Sequence, residues 1–401
     1  MKIQMLVPAI ALLAACSQGS GAAAQSSGGG QPFTLSDVAT FEEPFALAFL
    51  PDGTALVTEK SGHLQMLRKG EKQAVEVAGV PDVAAGGQGG LLDIAPAPDY
   101  ATSHAVYLSY SEPRPGGSGL ALARATLMNT AAPALAGLQV IWRSGSDGKG
   151  GQFGAIIAFA PDGASLFLSS GERQRFTPAQ DPNQALGKIL HLTLDGKPAP
   201  GNPWAGKAGT GTAAIIDPPK NTGSAADAPS HPGAADPLAP AETWSLGHRN
   251  PYGLAFGPDG RLWEHEMGPK GGDEVNLIQA GKNYGWPNAS NGSNYDGTDI
   301  PDHKPGDGYE PPKVFWNPSI SPSGLIVYTG SDFPQWKGSI LMGAMSGQAL
   351  IRIALDGDNA SKADQWNLGM RIRDVAQAAD GSIWLLQDGD GAKLMKLVPV
   401  K

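Results

Sequence analysis

LAFLPDGTALVTE (47–59) sets the pattern from which the fold follows. An apolar run ends in Pro-Asp-Gly, and a second apolar run begins at once. Pro51 presets the backbone for a turn, Asp52 can accept from a main-chain N–H two residues on, and Gly53 tolerates positive φ. Two strands joined by a tight turn are the expectation. The arrangement returns as IAFAPDGASLFLSSGE (157–172) and LAFGPDGRLWEHE (254–266), with variants at IAPAPDYATSHAVYLSY (94–110) and AQAADGSIWLLQD (376–388). The marker aspartates fall at 52, 99, 162, 259 and 380, separated by 47, 63, 97 and 121 residues. The two long separations are about double the short ones, as though one unit in each has lost its signature. From residue 33 onward the chain then divides into roughly six units of about 60 residues.

Units of several strands that cannot bury both faces alone point to an all-β, six-bladed β-propeller of four-stranded antiparallel blades. A β-sandwich with similar turns is the alternative. The 55 glycines, 34 prolines and only 17% charged residues suit a turn-rich β protein better than a helical bundle. A net charge of −9 offers no basic stripe for phosphates and argues against a nucleic-acid partner.

The N-terminus carries Lys2, the apolar run MLVPAIALLAA (5–15) and then Cys16, the one cysteine of the chain. The run is of signal-peptide length, too short to span a bilayer. Leu13-Ala14-Ala15-Cys16 looks like the lipobox of a bacterial lipoprotein. The expected organisation is a signal peptide over 1–15, lipidation at Cys16, a flexible tether over 16–32 and one propeller domain over 33–401. The expected location is the bacterial cell envelope, in the outer membrane facing the periplasm, with contact to the membrane through the lipid only. Residues 205–240, rich in Ala, Gly, Pro and Asp, read as a long surface insertion without regular structure. Residues 288–312 read as a second long loop, placed to lie over a site.

Chemistry concentrates in WSLGHRNPYGLAFGPDGRLWEHEMGPKGGDEVNLIQAGKNYGWP (244–287). Arg249-Asn250 suits a carbonyl-rich anion, and the oxygen-bearing residues after the turn suit a hard cation. Arg371 and Arg373 alternate along an expected strand, so both guanidinium forks share one face, an arrangement suited to carboxylates.

Seven strings, taken in order, resemble the soluble aldose sugar dehydrogenases that use pyrroloquinoline quinone. They are GGQGGLLDIAPAPDY (86–100), QDPNQALGKIL (180–190), GHRNPYGLAF (247–256), GPKGGDEVNLI (268–278), KNYGWP (282–287), WNPSISPSG (316–324) and RIRDV (371–375). The resemblance covers most of the chain after the tether. It implies a six-bladed propeller with the quinone and Ca²⁺ at one mouth of the central channel. It implies that Gln88, Arg249, Asn250, Ser319, Arg371 and Arg373 hold the quinone. It further implies that the carbonyls of Gly268 and Pro269 contribute to one calcium site, and that Glu274 with the Tyr284 carbonyl forms a second, with Asp273 assisting.

The pattern breaks where the family carries out its chemistry. The family's histidine base lies in a string like His-Phe-Gly-Gly-Arg-Ile; this chain reads Gln152-Phe153-Gly154-Ala155-Ile156-Ile157 there. A neutral amide has no usable basicity near neutral pH. Ile156 replaces an arginine, Met267 replaces a histidine, and Ser346 replaces a lysine that some members use. Glu172 occupies a family position bearing an acid near the missing histidine and is the candidate substitute base. The expected function is oxidation of an aldose hemiacetal to its lactone, with reduced or altered activity and an unidentified electron acceptor. The alternative is a non-catalytic quinone- or sugar-binding propeller acting as an envelope receptor or adaptor. A lactone hydrolase would need a central Ca²⁺ held by side-chain carboxylates and Asn, which the matched strings do not supply.

Overall fold

The computed structural model describes residues 30–144, 148–182, 184–204, 214–216, 230–232 and 242–400. The signal peptide, Cys16 and nearly all of the tether lie outside them.

Six four-stranded antiparallel sheets form the blades of a propeller. Their first strands are Pro44–Phe49, Leu91–Pro96, Gly154–Phe159, Pro251–Phe256, Pro322–Val327 and Ile372–Gln377, which open blades 1 to 6 in order. These six strands neighbour one another in a closed ring around a central channel. Closure is made by the chain's own start. Phe33–Phe41 pairs antiparallel with Ala392–Pro399 and so supplies the outermost strand of blade 6.

The core is distributed rather than central. One apolar cluster lies between each pair of neighbouring blades: for example, Leu56 and Leu64 of blade 1 meet Val106 and Leu108 of blade 2. Phe41 and Leu394 of blade 6 meet Leu47 and Val57 of blade 1 in the same way. Both faces of each sheet are therefore apolar, and only neighbours can cover them.

The turn chemistry read from the repeat operates in four blades. Asp52, Asp162, Asp259 and Asp380 accept the N–H two residues on, at 2.9, 2.9, 3.1 and 3.1 Å. In blade 2, which has Tyr100 where the others have glycine, the chain makes one helical turn over Tyr100–Ser103 instead. Only the 121-residue separation hides a blade. Blade 5 turns through a 3₁₀ segment, Pro334–Trp336, with no Pro-Asp-Gly. The 97-residue separation hides none; it is lengthened by the insertion between the last two strands of blade 3. Within that insertion Ala214–Ile216 and Ser230–Pro232 pair antiparallel, so the expectation of no regular structure fails at these residues.

Two carboxylates staple first strands together inside the channel. Asp93 of blade 2 accepts the Ile157 N–H of blade 3 at 2.7 Å, and Asp374 of blade 6 accepts the Leu47 N–H of blade 1 at 2.7 Å. Both aspartates stand six residues before a marker aspartate, the same place in their blades. Burial pushes Asp93 up to about 6 and Asp374 up to about 7, against the pull of the N–H groups they accept. The folded protein thus binds these protons more tightly than the unfolded chain. Their stabilisation is complete below about pH 4 and is lost as pH rises through 6 to 7. In the Asp93→Asn/Asp374→Asn variant the melting temperature declines less between about pH 4 and pH 8 than in wild type; equal slopes would contradict the assignment.

Candidate functional site

One mouth of the channel is built by the residues that precede each first strand and by the turns between second and third strands. Among the described residues nine non-glycine positions have positive φ; seven of them lie in these segments, and an eighth, Ala155, is the second residue of the blade 3 first strand. Strain is concentrated at this mouth, as it is at many functional sites.

The blade 3 wall carries the densest part. Gln152 (φ 57°), Arg173 (φ 62°), Gln174 (φ 59°) and Phe176 (φ 62°) lie in its two loops, and Ala155 (φ 82°) lies at the start of its first strand. Three glutamines clasp these loops together. Gln88 Oε1 accepts the Gln152 N–H at 2.6 Å, Gln152 Oε1 accepts the Gln174 N–H at 3.2 Å, and Gln174 Oε1 accepts the Gly151 N–H at 3.2 Å. Arg173, 2% exposed, donates to the carbonyls of Gly148, Gly150, Gly151 and Ser118 and lies 3.8 Å over the Phe153 ring. A glycine-rich loop that would otherwise be loose is fixed by one guanidinium.

Glu172 is 1% exposed and accepts the N–H groups of Arg175 and Phe176 on one oxygen. Burial pushes its pKa above the ordinary carboxylate range, although the Arg249 charge and the two N–H groups pull it down. Glu172 lines a small pocket with Gln152, Gln174, Phe176, Arg249, Pro269, Trp286 and Tyr295. It is the one carboxylate in that lining.

Arg249 reaches across from blade 4. Its Nη1 donates to the carbonyls of Met267 and Gly268, both at 2.8 Å, and its Nη2 donates to the Tyr295 hydroxyl at 3.3 Å. Its guanidinium carbon lies 5.3 Å from the centre of the Trp286 ring. Asn250 Oδ1 accepts the Gly154 N–H at 3.3 Å, and its Nδ2 lies 4.0 Å from Met267 Sδ. On the opposite side, Arg371 and Arg373 share Asp388, through Nε contacts of 2.6 and 2.8 Å. The two guanidinium groups meet through this shared carboxylate rather than by regular alternation, since Arg371 precedes the strand Ile372–Gln377 and the register shifts between Ile372 and Asp374. Ser346 Oγ lies 2.8 Å from Ser321 Oγ.

Beside this mouth, blade 4 buries a carboxylate cluster. The register pairs Glu266 directly with Glu274 and Glu264 with Asn276 on neighbouring strands. Like charges opposite each other are unfavourable without compensation. Asn276 Nδ2 serves both Glu264 (3.1 Å) and Glu274 (3.4 Å), while Glu264 Oε1 and Asn276 Oδ1 are buried without partners. Burial, reinforced by the Glu266 charge, pushes Glu264 and Glu274 well up. His248 Nδ1 lies 3.1 Å from Glu266, and Tyr284 stacks on His248 at 4.7 Å. An excess of buried oxygen acceptors over donors is the donor chemistry of a hard cation. The Gly268 carbonyl accepts Arg249 and keeps a second lone pair.

Most residues singled out from sequence converge here. Gln88, Gln152, Glu172, Arg249, Asn250, Gly268 and Pro269 form one side; Ser319, Arg371 and Arg373 belong to the facing blades. Glu274 and Tyr284 line a common pocket with Glu266 and Gly247. Two expectations change in substance. Ser319 Oγ donates to Asp273 at 2.6 Å rather than standing free for a ligand. Asp273, expected to assist a metal, is surrounded by four donors instead. Tyr295, Trp286, Gln174 and Arg173 were not singled out from sequence. Tyr295 comes from the 288–312 loop, which does reach over the site. The Arg-Gln-Arg following Glu172 was the available signal for the clasp.

The sequence model of the family described as glucose/sorbosone dehydrogenase matches residues 41–216 and 220–396. The aldose sugar dehydrogenase YliI of Escherichia coli (strain K12) is 36% identical over 366 residues, covering 89% of this chain and 90% of the relative. A solved glucose dehydrogenase superposes with a TM-score of 0.78 at 39% identity, covering 92% of this chain and 100% of that one. The aldose sugar dehydrogenase of Streptomyces coelicolor, solved in its PQQ-bound form, has a TM-score of 0.70 at 29% identity, covering 91% of this chain and 98% of that one.

A cation in the blade 4 cluster would neutralise buried acids whose pKa burial has raised. Millimolar Ca²⁺ is expected to raise the melting temperature of the cofactor-free protein, and a chelator to reverse the rise. The Glu264→Gln/Glu274→Gln variant should lose that response; an undiminished response would remove the cluster from consideration.

Proposed function

The chain belongs to the glucose/sorbosone dehydrogenase family, and from that premise we propose that it oxidises an aldose hemiacetal to the lactone using pyrroloquinoline quinone. The observation that carries this reading is the single pocket in which Gln152, Glu172, Arg249 and Pro269 meet. When bound, the quinone would supply the acceptor for the hydride, which carries both electrons of the oxidation. Arg371, Arg373, Arg249 and Asn250 would hold its carboxylates and carbonyls. Each of the two outer arginines meets Asp388 through Nε, and guanidinium forks carry further donors suited to carboxylates. The carbonyls of Gly268 and Pro269 would hold one Ca²⁺, and Glu274 with its cluster would hold a second. Trp286, buried, and Tyr295, largely exposed, flank Arg249 with their rings.

The proton of the anomeric hydroxyl needs an acceptor. Gln152 cannot be that acceptor, since its amide oxygen accepts the Gln174 N–H and has no basicity to offer. Glu172 can, because burial has raised its pKa toward the range in which a carboxylate works as a base. The backbone N–H groups held by Glu172 also fix its orientation. A carboxylate so held is a poorer base than a free imidazole, so turnover falls below that of relatives with histidine. The anchor at Cys16, outer-membrane attachment and a periplasm-facing position complete the proposal; the lipobox string supports them.

One observation favours a second reading, a receptor that binds quinone or sugar without turnover. Both groups nearest the expected proton transfer, Gln152 and Glu172, are already committed to backbone N–H groups of the same loop. Dye-linked aldose oxidation by the cofactor-loaded protein separates the two. Gln152→His is expected to raise kcat about 10²-fold, and Glu172→Gln to lower the residual rate by 10² or more. The wild-type rate should rise with pH as Glu172 loses its proton. An unchanged rate in Glu172→Gln removes that residue from the chemistry, and no turnover in either wild type or Gln152→His selects the receptor.

A further inference from the structure

Asp273 opens the third strand of blade 4, Asp273–Ile278, immediately after the turn that carries Gly268 and Pro269. Its Oδ1 accepts the Gly268 N–H at 2.9 Å. Its Oδ2 accepts three donors from the approach to blade 5: Ser319 Oγ at 2.6 Å, the Ile320 N–H at 2.6 Å and the Ser321 N–H at 2.8 Å. The residue is 0% exposed. We infer that Asp273 is a positioning residue that fixes the two halves of the ligand cradle to each other, the 268–272 turn of blade 4 and the 319–321 segment of blade 5. The inference deepens the proposed function, which it relies on only for the identity of the ligand.

Each half has ties of its own, Lys270–Gly271 pairing with Gly292–Ser293 and the Ser321 carbonyl accepting the Met345 N–H at 2.9 Å, and Asp273 adds a tie between the two. The turn contains Gly268, Gly271 and Gly272, with positive φ at the latter two. A Cβ at Gly268 would lie 2.1 Å from the Gly271 carbonyl oxygen, so the turn is too tight for side chains that could anchor it. Glycines lose the most backbone freedom on ordering, so the fixed shape needs an outside partner. The facing segment includes Ser321 at φ 51°, a left-handed position costly for a serine. A carboxylate suits both, because its two oxygens accept several donors at once and charge-assisted bonds are the stronger kind.

The connection runs on at each end. Gly268 passes its carbonyl to Arg249, and Ser321 Oγ meets Ser346 Oγ at 2.8 Å. One side chain thus joins the Arg249 side of the mouth to the blade 5 side. Four donors converging on its two oxygens identify the residue as a clamp, whereas a metal ligand would turn lone pairs toward an open position.

Asp273→Asn keeps the volume but leaves one acceptor oxygen and turns an NH₂ group toward donors. Two readouts on the full chain test the inference: hydrogen exchange of the cofactor-free protein, and titration with pyrroloquinoline quinone at limiting and excess Ca²⁺. The variant should exchange faster in 268–272 and 319–321 together, and bind the quinone roughly tenfold or more weakly, unrelieved by excess Ca²⁺. Ser319→Ala should show a smaller loss of both kinds, and Ser319→Thr, which keeps the hydroxyl, should restore it. Faster exchange in one segment alone, or affinity recovered with excess Ca²⁺, would overturn the inference; the latter would make Asp273 a metal ligand. Should wild type bind no quinone, the functional reading fails while the exchange result still decides the clamp. Should Asp273→Asn not fold, Ser319→Ala decides. Faster exchange at 268–272, on the other blade, supports the clamp; no change there contradicts it.

Discussion

Each of the six four-stranded blades has two apolar faces, and only its neighbours can cover them. That constraint governs the rest. The apolar clusters sit between blades, so a blade taken alone has no core of its own. The ring must close, and Phe33–Phe41 closes it by pairing with the last strand of the chain. Closure also turns sequence distance into proximity. Gln88, Gln152, Arg249, Ser319 and Arg371 come from five different blade entrances, yet all face one mouth because every first strand starts there.

Rigidity at that mouth is purchased with charge inside the protein. Arg173 gathers carbonyls from a glycine-rich loop, Asp273 gathers donors from two blades, and Asp93 and Asp374 staple neighbouring first strands. Each is a buried or channel-facing ionisable group tied to backbone rather than to an opposite charge on the surface. Such groups are costly when unsatisfied and strongly directional when satisfied. They hold loops in left-handed conformations that non-glycine residues otherwise avoid. The pocket around Glu172 is a product of that framework. Arg249 and Trp286 give it a cationic and aromatic side, and Glu172 gives it one acid.

The repeat made the propeller legible, since Pro-Asp-Gly between apolar runs reports a local turn that the structure builds with Asx contacts in four blades. Spacing was less informative, because a missing signature and an insertion lengthen a separation equally. Blade 5, whose turn is a 3₁₀ segment packed by Trp336, left no such mark. The arginine side of the mouth could be placed because Arg249 and the Gly-Pro pair stand in ordered strings. The supporting side could not. Asp273 reaches backbone N–H groups of blade 5 and Arg173 the Ser118 carbonyl of blade 2, and nothing in a single sequence says which carbonyls or N–H groups will be near. The cluster of Glu264, Glu266 and Glu274 was half visible. Alternation in LWEHE places two glutamates on one face, but their burial against Glu274 depends on the register of the next strand.

The central claim is that this mouth keeps the means of holding the quinone while the position of the strong base is neutral. Calorimetric titration of pyrroloquinoline quinone with Ca²⁺ into the cofactor-free protein, followed by stopped-flow addition of an aldose, tests it most directly. The account predicts saturable binding and then a single-turnover reduction slower than ~1 s⁻¹, the floor of ordinary enzymes. No binding at any Ca²⁺ concentration, or reduction at tens per second or faster, would contradict it.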